Sequence, residues 1–173
     1  MRSFHILEIK KFMNILLTGK NFDPFLLEEA TIRSFCTFSI NGHFEKDFIP
    51  AEELQGEEFD ANSEYVSWSK IRSFCLDLIK GKRTPLSMKF VFLIPAKDFS
   101  EKLKDYFSDK SLLSELLSDN RVSNFKLTIR FSEDGLFAIS GVSYIDFSLD
   151  RSSEGAWDEF IQRFILGSGV KIG

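Results

Sequence analysis

The chain of 173 residues holds little of what most enzymes use. It has two His, His5 and His43, and two Cys, Cys36 and Cys75. No Cys-x-x-Cys, paired-His helix, Walker loop or dinucleotide glycine pattern occurs, so the usual zinc, nucleotide and redox motifs are absent. The thiols read as free in a reducing cytosol. No stretch approaches the roughly 18 apolar residues of a membrane helix. Met1-Arg2-Ser3-Phe4-His5 lacks the apolar core of a signal peptide, so a cytoplasmic protein without a membrane segment is expected. The net charge of −4 argues against nucleic-acid binding over the whole surface. It leaves room for a local basic patch. Glu52, Glu53, Glu57, Glu58 and Asp60 crowd one connection, without the Gly-centred alternation of a calcium loop. No metal or cofactor is expected.

What the sequence has in quantity is phenylalanine. Twenty Phe predict a core of aromatic rings in offset and edge-to-face contact. Trp68 to Pro85 is the stretch around which the rest is organised. Ile71, Phe74, Cys75, Leu78 and Ile79 recur at helical spacing and predict one buried stripe. Ser67 or Ser69 is the expected cap, and Gly81 the left-handed stop. An earlier segment repeats the pattern: Ile9, Phe12, Leu16, Gly19 and Lys20 align with Ile71, Phe74, Leu78, Gly81 and Lys82. Leu76 and Ile15 fall off the stripes.

Phe4 to Leu7 predicts a short strand, and 8–18 the first helix. From Ala30 the period is two, with Ile32, Ser34, Cys36, Phe38 and Ile40 on one face. Asn41-Gly42 predicts a hairpin, with a bulge setting Phe44 and Phe48 beside Ile40 and Cys36. Leu86 to Ile94 predicts a strand. Helices are expected at 98–107 and at 111–117. Phe125, Leu127, Ile129 and Phe131 alternate in a strand that turns at Asp134-Gly135. That turn would pair Phe131 with Ala138 and Leu127 with Val142. Another strand is expected at 143–149. A last helix buries Trp157, Phe160, Ile161, Phe164 and Ile165, and the tail after Gly167 is expected to fray.

The fold expected is α+β in a single domain. A strand-helix-antiparallel-strands unit occurs twice, at about 1–50 and 65–150. A helical insertion occupies 96–120 and a C-terminal helix 152–167. This order resembles one domain of a sliding DNA clamp, in which two such helices lie side by side on the inner face of a ring. The helix echo carries that resemblance, together with residues 124–149 and their Ser140-Gly141 step. The insertion and the last helix depart from it. Because one such domain cannot enclose DNA, the resemblance implies self-association. The whole chain also resembles a small bacterial family whose domain has no known function. Phe12-Met13-Asn14, Phe25-Leu26-Leu27, Trp68-Ser69-Lys70-Ile71-Arg72, residues 79–87 and Ala156-Trp157-Asp158 carry this second resemblance.

Lys70, Arg72, Lys80, Lys82 and Arg83 form a basic strip, and Lys10 and Lys11 join it if the helices pair. Such a face can track phosphates without reading sequence; its ordinary counterpart is a solvated helix exterior. Cys36 and Cys75 read as small core hydrophobes. The function read here is a non-enzymatic binding or assembly module, clamp-like in its sharper form. It would form a homo-oligomer and contact nucleic acid or a protein partner through those seven cations. Two readings compete with it. One is a small enzyme built on His43 (with Glu45 or Asp47) or on His5. The other is a purely structural protein-interaction domain.

Overall fold

The computed structural model describes residues 1–56, 62–107, 110–147 and 149–173. Its strands are β1 (Ser3–Ile6), β2 (Leu26–Arg33), β3 (Thr37–Asn41), β4 (Val66–Ser67), β5 (Ser87–Pro95), β6 (Val122–Ser132) and β7 (Gly135–Tyr144). The α-helices among the described residues are α1 (Ile9–Thr18), α2 (Trp68–Ile79), α3 (Phe99–Lys102), α4 (Lys110–Leu116) and α5 (Ser152–Gly167). All seven strands join one antiparallel sheet, in the order β1-β7-β6-β5-β2-β3, with β4 paired to the start of β2. The chain is α+β in a single domain, as expected. The middle of the sheet is symmetric in its pairing. The strands that follow α1 and α2, β2 and β5, lie side by side, and each is flanked by its own next strand.

Alternation along the strands decides which face is covered. Phe90 and Phe92 of β5 meet Trp68 of α2 edge-on at 5.6 and 5.0 Å. Phe125 of β6 meets Trp157 of α5 at 5.2 Å, and Phe22 after α1 meets Phe92 and Phe164. The abundant Phe therefore build one aromatic core between the sheet and three long helices. The other face carries Lys89, Lys126, Thr128, Arg130, His5 and Phe137. Here His5 stacks on Phe137 at 4.9 Å and the Arg130 guanidinium lies over the same ring at 5.8 Å.

Several local expectations differ from the structure. The run from Ala30 to Ile40 is two strands, because the chain reverses at Ser34–Cys36; Ser34 N–H donates to the Cys36 carbonyl. Cys36 and Phe35 therefore sit at an exposed hairpin tip. Asn41-Gly42 is not a hairpin. Asn41 Oδ1 accepts from His43 N–H at 3.0 Å, and Gly42 crosses a bulge in β2 so closely that a Cβ there would lie 1.8 Å from the Leu27 carbonyl oxygen. Absence of a side chain is what this crossing needs; the turn propensity of Asn-Gly is not used. Phe48 is exposed, not paired with Cys36.

The β6–β7 turn uses Glu133-Asp134, so Phe131 pairs with Leu136 and Leu127 with Ser140. A shift of two keeps every residue on its expected face, Ser140 included, which is buried in the core opposite Leu127. Its hydroxyl there accepts from Arg2 N–H and donates to Asp158. β7 runs on to Tyr144 without the break expected at Ser143. Ile145, Phe147 and Leu149 beyond it are exposed and outside any strand.

The tail does not fray. Leu7 N–H donates to the Lys171 carbonyl at 3.0 Å and Gly173 N–H to the His5 carbonyl at 2.9 Å, so residues 171–173 cover the outer edge of β1. Val170 is buried, and Lys171 N–H donates to Glu8 Oε2 at 2.8 Å.

Candidate functional site

Helices α1 and α2 pack against each other. Trp68 begins α2 without solvent exposure, and its indole Nε1–H donates to the Leu16 carbonyl at 2.9 Å. That oxygen belongs to the last turn of α1, where the helix leaves its own carbonyls unpaired. Arg72, one turn on, donates to the Gly19 carbonyl just past α1 and to the Asp23 carboxylate in the following loop. Both contacts stitch the start of α2 to the end of α1.

These anchors rotate α2 away from the orientation its aliphatic spacing predicts. The buried side runs through Trp68 and Cys75, with Ile71, Leu76, Leu78 and Ile79 packed at its margins. Phe74 is 63% exposed. In α1 its counterpart Phe12 is buried, as are Leu16 and Leu17. The echo is thus real in letters and in the pairing of the helices, but the two faces are set differently. Leu76 and Ile15, off the stripes in sequence, both touch the core. The helix ends differ as well. Gly81 has φ +149°, a conformation that disfavours a side chain, whereas Gly19 is extended and instead comes close to the Ile15 carbonyl.

The seven cations do not act as one set. Arg72 is occupied by Asp23 and Gly19. Lys11 Nζ donates to the Gly169 carbonyl and so helps hold the tail. Lys80 pairs with Asp77 at 2.6 Å on the exposed side of α2. Lys70 is half-buried on the outer side of α2, and Lys10 is exposed on α1. Lys82 and Arg83 are exposed in the loop after α2, beside Leu86, whose side chain is 64% exposed. Leu86 N–H donates to the Arg33 carbonyl, which ties this loop to the β2–β3 hairpin. The outer surface is therefore an exposed aromatic and an exposed leucine with cations on either side. Phe74 falls on the apolar stripe because Ile71, Cys75, Leu78 and Ile79 surround it at helical spacing; Trp68, fully buried, turns the apolar sector toward Cys75.

His43 lines an open groove of about 540 Å³ with Glu28 and Glu29. Those carboxylates are paired with Lys126, at 2.7 Å, and with Lys89, while the His43 ring meets Tyr65 edge-on. His5 is stacked on Phe137. Cys75 is fully buried, and burial pushes its thiol up to about 12, far from a thiolate nucleophile at neutral pH. A cleft of about 600 Å³ is lined by Leu26, Tyr65, Leu93, Asp98, Asp119 and Asn124, among others. Its buried carboxylate, Asp119, is held by Arg121 through Nε at 2.8 Å and Nη2 at 3.0 Å. That pair fixes the turn into β6.

Among the described residues no three acidic, His or Cys side chains gather as metal ligands. In the acidic connection, Glu52 and Glu53 are exposed; Glu57, Glu58 and Asp60 lie outside the described residues. No helix among the described residues is long and apolar enough to cross a membrane. A family model described as a family of unknown function (DUF5721) matches residues 15–172. No curated protein and no solved structure matches.

Proposed function

We propose, for a chain that belongs to this family of unknown function and takes no activity from it, a non-enzymatic binding and assembly module of the bacterial cytosol. Its docking surface is the outer side of α2 and the loop that follows. The observation that carries this reading is Phe74, a large ring left in water on a helix whose neighbours Trp68 and Cys75 are fully buried. Hot spots in protein interfaces combine an aromatic anchor with flanking charge. Lys70, Lys80, Lys82 and Arg83 flank Phe74 along the helix and its loop. An acidic protein segment with an apolar centre has the complementary chemistry.

A protein partner is favoured over nucleic acid for a physical reason. Lys11 and Arg72 serve intramolecular contacts and the other cations are divided between α1, α2 and the loop after α2, so they offer no continuous row for a phosphate backbone to follow. The clamp-like build is supported by the side-by-side helices and the symmetric β6-β5-β2-β3 order. A free thiol at an exposed hairpin tip suits a reducing compartment.

The test compares Phe74→Ser and a Lys82→Glu/Arg83→Glu pair with the parent chain. Both variants are expected to keep the parent's thermal midpoint while each loses the same co-purifying protein. Duplex DNA titrated at low salt is the second arm. Binding to DNA that is abolished by the charge reversals and untouched by Phe74→Ser would replace protein with nucleic acid. If neither variant changes any association, the docking surface is not there.

A further inference from the structure

The two edges of the sheet are treated differently. The β1 edge is closed by the tail. The β3 edge has no strand on its outer side among the described residues. Exposed edges are templates for pairing, and proteins blunt them with Lys, Pro or bulges. Thr37-Phe38-Ser39-Ile40-Asn41 carries no charge, no proline and no register shift against β2.

Its hydrogen-bonding direction follows from its neighbours. Gly42 N–H donates to the Glu28 carbonyl and Ser34 N–H to the Cys36 carbonyl. Since inward and outward positions alternate, Phe38 and Ile40 bond toward β2. Thr37, Ser39 and Asn41 therefore turn their backbone N–H and C=O outward. The side chains of those three are exposed, while Phe38 and Ile40 pack against the core.

We propose that this edge pairs with the same edge of a second copy of the chain, antiparallel, about a two-fold axis at Ser39. The strand reads alike from both ends. With Ser39 opposite the second copy's Ser39, Thr37 falls opposite Asn41 and Phe38 opposite Ile40. The outward positions then form matched hydrogen-bonded pairs. The apolar pairs lie on the helix-covered side and continue the core across the axis, while Thr, Ser and Asn stay on the open face. No charge opposes a like charge. Phe35, 93% exposed at the hairpin tip, extends toward the second copy's chain beyond β3. This deepens the assembly part of the proposed function and uses none of the residues of the α2 surface, so either can fail alone.

The register makes the experiment specific. Directly opposed residues of a hydrogen-bonded antiparallel pair have Cα atoms about 5.5 Å apart, within reach of a disulfide. In a Cys36→Ser background, Ser39→Cys is expected to give a single covalent dimer on mild oxidation. Thr37→Cys alone is expected to give none, and Thr37→Cys mixed with Asn41→Cys a dimer. Ser39→Pro removes an outward N–H without touching the β2 pairing. It is expected to halve the mass measured by light scattering, with an unchanged circular dichroism spectrum. A parent chain that stays monomeric overturns the proposal. So does a dimer that survives Ser39→Pro, or one in which Thr37→Cys links to itself. A monomer whose edge takes up only an unrelated extended peptide also overturns it.

Discussion

The Trp68 indole donates to the Leu16 carbonyl at 2.9 Å across the α1–α2 contact, with the whole side chain out of solvent. One residue thus fills the core against Phe90 and Phe92 and satisfies the end of a neighbouring helix. Trp68→Phe keeps a ring but loses the donor and part of the volume. It is expected to destabilise the fold by about 2–3 kcal/mol in denaturant titration, with little change in the slope.

Gly42 tests the close crossing of β2. A methyl group at this position would meet the Leu27 carbonyl oxygen at 1.8 Å. Gly42→Ala is expected to cost about 3 kcal/mol or more, because two backbones must separate. Gly141→Ala is the matched control. Nothing lies within 4 Å of the added carbon, and the change is expected to stay within about 1 kcal/mol of neutral, on the stabilising side.

The two thiols should separate chemically. Cys36 is exposed and Cys75 buried. A thiolate-specific reagent is expected to label one Cys in the native chain and both after unfolding. Burial raises the Cys75 thiol from 9.0 to about 12, so the folded state holds its proton to higher pH than the unfolded state does. The stability linked to this group is complete below pH 9 and falls as pH climbs from 9 toward 12. Cys75→Ala removes that alkaline decline; a denaturation midpoint followed between pH 8 and 11 checks it.

Deleting residues 170–173 removes the buried Val170 and the two backbone bonds that cover β1. A loss of about 2 kcal/mol or more is expected. Light scattering should also show new aggregation, since a second sheet edge becomes open.

Much of this architecture was legible because periodicity reports faces. The alternation in Phe125–Phe131, the stripe Trp157–Ile165 and, from Ser87 on, the strand expected at Leu86–Ile94 all lie where their spacing put them; Leu86 itself is exposed ahead of β5. Faces survive small errors of register, which is why a turn misplaced by one position left the β6–β7 core intact. The failures share a cause: long-range geometry overrode a local signal. Asn41-Gly42 serves a backbone crossing with β2, which nothing within a few residues could reveal. Phe74 was drawn into the predicted core by its aliphatic neighbours. The indole and guanidinium that set the helix rotation bond to α1, some fifty residues away in sequence. The tail carries no local signal of order because its partner is the first strand.

That meeting of the two chain ends has a kinetic side. β1 pairs with Leu136–Ile139 of β7 on one side and is shut on the other by the final residues. While the ribosome is still extending the chain, β1 has neither neighbour, although its apolar pair Phe4 and Ile6 is already synthesised. Loops that long close slowly. The N-terminal strand therefore docks only after residues 136–139 and 171–173 have been made.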